Sequence, residues 1–408
     1  MDLWHFSLLI NLFVIHIMLP FSHSDLNIFA LGFGLLRRTQ AHVTEAYLIS
    51  ALGYIGILLG GSLWRVHLGF GLRQLFSRFI ELPTRGSLLL LSSRSLLMTH
   101  GMIAIGMLAA LLFYYFKVNG FGLNLGSILL VSPALRPIAQ FISFYSVFIA
   151  SYCLARFEQY KERSMLFVVF MVSLGMLFFG SRGAIGSIFL MTITVLFIKM
   201  RRRLKLFWLV TGGFFALCMV FALDALRRPR FSLGSVVSGF ALNLFYGNSF
   251  SDTRDFAVIL SFWDGHYLLG KTYLAGLIAF VPRFLSTFRD TWSYGVVTAT
   301  MAGFKPTEHA GLRIGLFGEA YLNFGLIGVT LLGLFIGATV RLIDLRMKQA
   351  VTVLPQSDIR VYSYSIMALL VSAAENSSTA STCYSILLVI LVSWTMLRVS
   401  SFLKLPLH

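Results

Sequence analysis

The sequence predicts an all-α polytopic integral membrane protein, and two observations predict it. Of 408 residues, 57% are hydrophobic and only 12% charged, about half the charge of a globular chain. The apolar residues also gather into runs long enough to cross a bilayer. A chain so composed cannot cover its apolar surface with polar side chains. That excludes an ordinary soluble enzyme, a disordered protein and a small disulfide scaffold.

Taken in order, the apolar runs fall at 3–21, 44–64, 96–116, 137–155, 164–180, 184–198, 206–223, 314–340, 361–377 and 381–400. Ten spans are expected, with 10–12 as the range. The shorter run 26–36 reads as a broken or re-entrant piece. The N-terminus lacks a basic segment and a small-x-small cleavage site, so 3–21 is expected to be an uncleaved first span. The links carry the basic residues: Arg65, Arg73, Arg78, Arg85 and Arg94; Arg156, Lys161 and Arg163; Lys199, Arg201, Arg202, Arg203 and Lys205; Arg341, Arg346 and Lys348; and Arg398 and Lys404 in the tail. With ten spans all of these fall on one side, which places both termini in the cytoplasm. Arg37 and Arg38 fall on the other side and fit this topology badly.

The chain reads as one transmembrane domain, 1–408, with one large external loop inserted at 224–313. Within that loop, 270–285 is apolar enough to lie in the interface or fold back against the bundle. The loop is rich in arginine: Arg227, Arg228, Arg230, Arg254, Arg283, Arg289 and Arg313. The net charge of +17 is read as topology signal plus this external surplus, not as a nucleic-acid surface. Cys153, Cys218 and Cys383 form no framework and no C-x-x-C pair.

Motifs for nucleotide binding, zinc hydrolysis and serine hydrolysis are absent from the sequence. Three external clusters carry the candidate chemistry. Gly180-Ser181-Arg182-Gly183 sits between two apolar runs, which pins Arg182 at the boundary. It reads equally as a snorkelling turn residue or as a fixed guanidinium for phosphate. Pro282-Arg283 and Arg289 follow an apolar stretch and read first as interfacial anchors. The third cluster is His309, Arg313, Glu319 and Asn323. Helical spacing would put His309 and Arg313 on one face, and Glu319 and Asn323 on one face of the span that follows. A carboxylate inside an apolar helix is costly and marks an interior or a cavity. Glycines at 311, 315, 318 and 325 permit close packing. Glu375 lies in the last external turn. Asp224, Asp252, Asp255 and Asp264 are external carboxylates with no pairing legible in the sequence. Trp263, Tyr267, Trp292 and Tyr294 suit either sugar stacking or the interface. Surplus arginine, one histidine and few acids suit an anionic ligand held without a metal.

In motif order the chain resembles the Wzy family of O-antigen and exopolysaccharide repeat-unit polymerases. The carrying residues are Phe179-Gly180-Ser181-Arg182-Gly183, Phe280-Val281-Pro282-Arg283-Phe284, and His309-Ala310-Gly311-Leu312-Arg313 running into Gly318-Glu319-Ala320-Tyr321-Leu322-Asn323-Phe324-Gly325. Where relatives show a Pro-x-Lys-Pro-like stretch, this chain has Ser286-Thr287-Phe288-Arg289-Asp290. The resemblance implies a metal-independent, GT-C-like glycosyltransferase of the bacterial inner membrane with its active face in the periplasm. Its donor and acceptor would be undecaprenyl-diphosphate-linked oligosaccharides. A chain-length regulator and a flippase of the same pathway would be its partners, and no soluble cofactor or nucleic acid is implied. Arg182, Arg283, Arg313 and Arg289 would hold the diphosphate, and His309 or Glu319 would deprotonate the acceptor hydroxyl. Asn323, Tyr321 and Glu375 would support them. Two other readings use similar residues: an O-antigen ligase acting on lipid A core, and a flippase or transporter, which would tend to show matched halves.

Overall fold

The computed structural model describes residues 36–63, 86, 88–119, 136–178, 211, 252–278, 281, 285–306, 311–353, 391 and 394–395. Among these residues every regular element is a helix, and there is no strand. The runs expected at 3–21, 184–198, 206–223, 361–377 and 381–400 lie outside the described residues or touch them only at single positions. Among the described residues three helical stretches are long and apolar enough to cross a membrane by length and composition, 41–62, 94–117 and 315–342, the last of them interrupted at Gly325.

The contacts divide the chain into two compact units. One contains three long helices that pack on one another: α2 (Arg94–Asn119), α3 (Arg136–Tyr160) and α4 (Arg163–Phe178). On α2, Leu97, Ala104, Leu108, Leu111 and Tyr115 are buried at helical spacing. On α4 the inward stripe is Met165, Val168, Val172 and Met176. Gly101 admits Val168, and Gly175 admits Leu108. α3 is buried on every side from Tyr145 to Arg156, the pattern of a central helix. The outward faces of α2 and α4 are also apolar, with Phe113 72% and Phe170 63% exposed. A helix apolar both inward and outward suits lipid, not water. The link expected at 156–163 is shorter than the charges suggest. α3 runs on to Tyr160, and only Lys161 and Glu162 separate it from α4.

The other unit contains α1 (Leu36–Leu63), four short helices and most of α9 (Gly315–Val353). The α1 helix begins eight residues before the span expected at 44–64, so Arg37 and Arg38 open the helix. The short helices are α5 (Asp252–Phe262), α6 (Lys271–Leu277), α7 (Thr287–Trp292) and α8 (Tyr294–Met301). All four fall inside the stretch expected as the large loop. α5 packs on α1, while α6, α7 and α8 pack on one another and α8 reaches α5. Ser286 caps α7 by accepting from the Arg289 amide at 3.2 Å, an ordinary N-cap bond.

α9 is not the single rod expected at 314–340. Gly325 interrupts it with φ 65° and ψ −154°, a region open essentially to glycine alone. A Cβ on Gly328 would lie 2.8 Å from the Ala320 carbonyl oxygen, although a straight helix would separate residues eight apart by about 12 Å. The chain therefore folds sharply back, and Gly53 of α1 meets Phe317 before the break and Gly333 after it. The break frees the Leu322 and Asn323 carbonyls from their helical partners. The Leu268 and Leu269 amides donate to them at 2.8 and 3.1 Å. Beyond the break, Gly333 lies against Gly53 and Gly56, and Gly337 against Ile57 and Gly61, so closely that backbone meets backbone.

Candidate functional site

Residues 311–314 form a non-helical strap ahead of α9. Gly311 has φ 95° and lies against the Gly295 carbonyl and the Thr298 hydroxyl, where no side chain fits. Each amide that follows has a side-chain acceptor. Leu312 donates to Thr298 Oγ1 at 3.0 Å, Arg313 to Asp255 Oδ2 at 3.2 Å and Ile314 to Tyr294 Oη at 2.7 Å. The strap is thus fixed to α5 and α8 at every backbone donor from 312 to 314. It also means that no helix carries both His309 and Arg313, as the four-residue spacing suggested; α9 starts only at Gly315.

Arg313 projects from this strap with 53% of its side chain exposed, and its Nη2 pairs with Asp252 Oδ1 at 3.0 Å. Asp252 opens α5 and also lies beside Gly315, where α9 opens. A carboxylate there meets the positive ends of both helices. Burial pushes the Asp252 carboxyl above the ordinary carboxylate range, the Arg313 guanidinium pulls it back and Asp255 pushes it up again. The next acid, Asp255, is buried and holds Arg254, whose Nη2 lies 2.9 Å from its Oδ1. Beneath the strap, the Tyr294 phenol is held well above its ordinary value, first by burial and then by the charge of Glu319. It stays protonated through the physiological range, accepting from Ile314 with its proton intact.

The sequence-predicted residues separate in this arrangement. Arg313 is at the surface. Glu319 keeps 1% of its surface and lies inside, within electrostatic reach of Tyr294. Asn323, fully buried, is a joint: its Oδ1 accepts from the Gly270 amide at 2.9 Å, and its Nδ2 donates to Thr272 Oγ1 at 2.7 Å and to the Glu319 carbonyl at 2.8 Å. This ties α6 to the first arm of α9. Tyr321 reaches across to Glu45 of α1, Oη to Oε1 at 3.5 Å. Arg289 is buried, and its Nη1 donates to the Val281 carbonyl. It braces the backbone just ahead of Arg283. Arg182, Arg283, His309 and Glu375 lie outside the described residues. Among the described residues, no three His, Cys, Asp or Glu side chains gather into a group that could hold a metal ion.

Asp252, Asp255, Thr298 and Tyr294 were not singled out as a group by the sequence. The one signal was local: two acids in the first turn of an apolar segment mark a helix start. The pairing of these two acids with a strap more than 50 residues away has no local signature. Comparison with protein-family models, with curated proteins and with solved structures finds no match to this chain.

Proposed function

We propose that this chain is a membrane glycosyltransferase that polymerises lipid-diphosphate-linked oligosaccharide repeat units at the external membrane face. The observation that carries the reading is Arg313: a half-exposed guanidinium, set on a strap whose amides are all engaged and oriented by a single acid. Such a group can hold phosphate oxygens in a fixed position. The resemblance assigns the diphosphate to Arg182 and Arg283 as well, the arginines of its other two motifs. In the reaction the acceptor hydroxyl oxygen attacks the anomeric carbon of the donor glycan. The bond to the lipid diphosphate breaks, and the arginines stabilise the charge that collects on it. The hydroxyl proton passes to a base. Glu319 keeps 1% of its surface, which favours His309, two residues ahead of the strap in sequence, as that base. Glu319 then sets the electrostatics beneath it.

The test is surface polysaccharide from a deletion strain complemented with wild type, Arg313→Ala or His309→Ala. Wild type restores a ladder. Arg313→Ala is expected to lower polymerisation about 10²-fold, and both variants leave core plus one repeat. A complete loss of repeats would instead mean ligation or flipping. Normal length distributions in either variant would remove that residue from the site.

A further inference from the structure

At the end of α5 opposite Asp252, three aromatic rings converge. Trp263 lies 5.3 Å from Tyr267 and 5.4 Å from Tyr321 between centroids, and Tyr267 lies 6.5 Å from Tyr321. The rings are inclined to one another by 57°, 63° and 81°. They are therefore walls of a corner, not a stack. Phe256, fully buried, sets its ring edge-on to Tyr321 at 5.9 Å. Trp263 Nε1 donates to the His266 carbonyl at 3.0 Å, which fixes the indole. The loop carrying Tyr267 is fixed in turn by the bonds from Leu268 and Leu269 to the broken helix. Yet Tyr267 is 47% exposed. An aromatic corner held this firmly and left this open is preorganised for a ligand with flat apolar faces.

The polar groups around it narrow the ligand. Glu45, hydrogen-bonded to Tyr321, also binds His42 Nδ1 at 2.9 Å. Asp264 and His266, 3.2 Å apart, are largely exposed on the same loop as Tyr267. The backbone amide of His266 holds the Asp264 carboxyl below the usual range, so it is charged at neutral pH. Carboxylates repel phosphate and anionic lipid headgroups but accept hydrogen bonds from hydroxyls. Aromatic faces beside hydroxyl acceptors match a sugar ring, whose C–H face is apolar and whose edge is a row of hydroxyls.

We propose that Trp263, Tyr267 and Tyr321, with Glu45 and His42 beside them, form a subsite for a pyranose ring. The α5 helix separates this corner from the Arg313–Asp252 pair by about 16 Å. A glycan whose diphosphate end lies at Arg313 would thus place a sugar several units along the chain at the aromatic corner. The ring's place in a lipid-linked glycan rests on the polymerase reading; the binding itself does not.

The experiment is saturation-transfer NMR on the full chain in nanodiscs, with free glucose, galactose, mannose and N-acetylglucosamine as probes and mannitol as the acyclic control. At least one cyclic sugar is expected to receive saturation at its ring C–H protons while mannitol does not. Tyr267→Ala should weaken the effect about fivefold and Tyr267→Phe by less than about twofold, because the ring and not the hydroxyl makes the contact. Glu45→Gln should also weaken it. Absence of transfer to every sugar, or transfer unchanged in Tyr267→Ala, would overturn the subsite. If Tyr267→Ala instead impairs only retention in the bilayer, the corner is an interfacial anchor and the proposal fails. Sugar binding in a protein whose deletion leaves polymer length unchanged would sink the polymerase reading and spare the subsite. A lost ladder with no Tyr267-dependent binding would do the reverse.

Discussion

Arg156 is 6% exposed, and its guanidinium is nonetheless well supplied with acceptors. Nε and Nη2 each donate to a carboxylate oxygen of Glu162 at 3.0 Å, Nη1 donates to the Leu91 carbonyl, and the group lies 4.7 Å from the centre of the Tyr160 ring. The pair closes the two-residue link between α3 and α4. The hydrogen bond from Arg156 holds the Glu162 carboxyl below its ordinary range, opposed by partial burial and aided by the charges of Arg156 and Arg94. Because the folded value is depressed, the ionised form favours the folded state. That contribution is complete above pH 4.5, the ordinary value for glutamate, and is lost as pH falls through the depressed value. Thermal unfolding of the purified chain should therefore show a drop in midpoint below pH 4.5 that Glu162→Gln flattens. Glu162→Ala should cost about 3 kcal/mol at neutral pH, because the guanidinium stays buried without its partner. An unchanged acid limb in Glu162→Gln would mean that the pair adds nothing to stability. Pairing of this kind is only partly legible in a sequence. Arg156 and Glu162 are six residues apart and within reach of inspection. Asp252 and Arg313, 61 apart, are not, since charge attraction between distant segments leaves no periodic trace.

Glycines decide how the elements meet. At Gly60, Gly333 and Gly337 an added Cβ would overlap the carbonyl oxygens of Leu334, Gly53 and Ile57. Two G-x-x-x-G spacings, 56–60 and 333–337, thus face each other and let α1 and the second arm of α9 touch backbone to backbone. Both spacings can be read in the sequence. The break at Gly325 cannot, because a hydropathy window measures composition and takes no account of a single residue's φ. The same distinction explains which elements were legible. The apolar runs 44–64, 96–116 and 164–180 correspond to α1, α2 and α4 because their periodic burial follows from side chains alone. The short helices α5 to α8 were hidden in what reads as a loop, since their lengths of 6 to 11 residues give few turns of pattern. Substitution separates the two kinds of glycine. Gly325→Ala should destabilise by about 1–3 kcal/mol through backbone strain, and Gly60→Val should do at least as much through overpacking. Gly106→Ala is the control: nothing lies within 4 Å of an added Cβ there, and removing a helical glycine favours the helix by up to about 1 kcal/mol. The readout is the unfolding midpoint of detergent-solubilised protein. A Gly325→Ala midpoint matching that of Gly106→Ala would mean that the fold-back in α9 is not the stable conformation.

At the scale of the whole molecule, the topology rests on where basic residues fall, and the Arg156–Glu162 pair tests that logic. The positive-inside rule counts Lys and Arg near span ends and is largely indifferent to acids. Arg156, Lys161 and Arg163 therefore keep their weight even though Glu158 and Glu162 pair with two of them. The expected topology accordingly puts the link at 161–162 in the cytoplasm. The arginine-rich stretch 224–313 is long enough to be exported whatever its charge, so its side is set only by the parity of the spans before it. The polymerase reading requires that parity to hold, because Arg313 and the aromatic corner must both face the compartment that receives lipid-linked glycans. Single cysteines at two exposed positions decide the matter, Lys161 at 62% and His266 at 87% side-chain exposure. Both are introduced after Cys153, Cys218 and Cys383 are replaced by serine. In spheroplasts, a membrane-impermeant maleimide should label position 266 directly and position 161 only after lysis. Labelling of both from outside, or of neither, would place the two links on one side and break the ten-span parity. Position 161 labelled alone would invert the molecule and put Arg313 in the cytoplasm. An inverted molecule would have its diphosphate site where lipid-linked units are assembled, not where they are joined, and polymerisation would have to be abandoned in favour of a step on the cytoplasmic face.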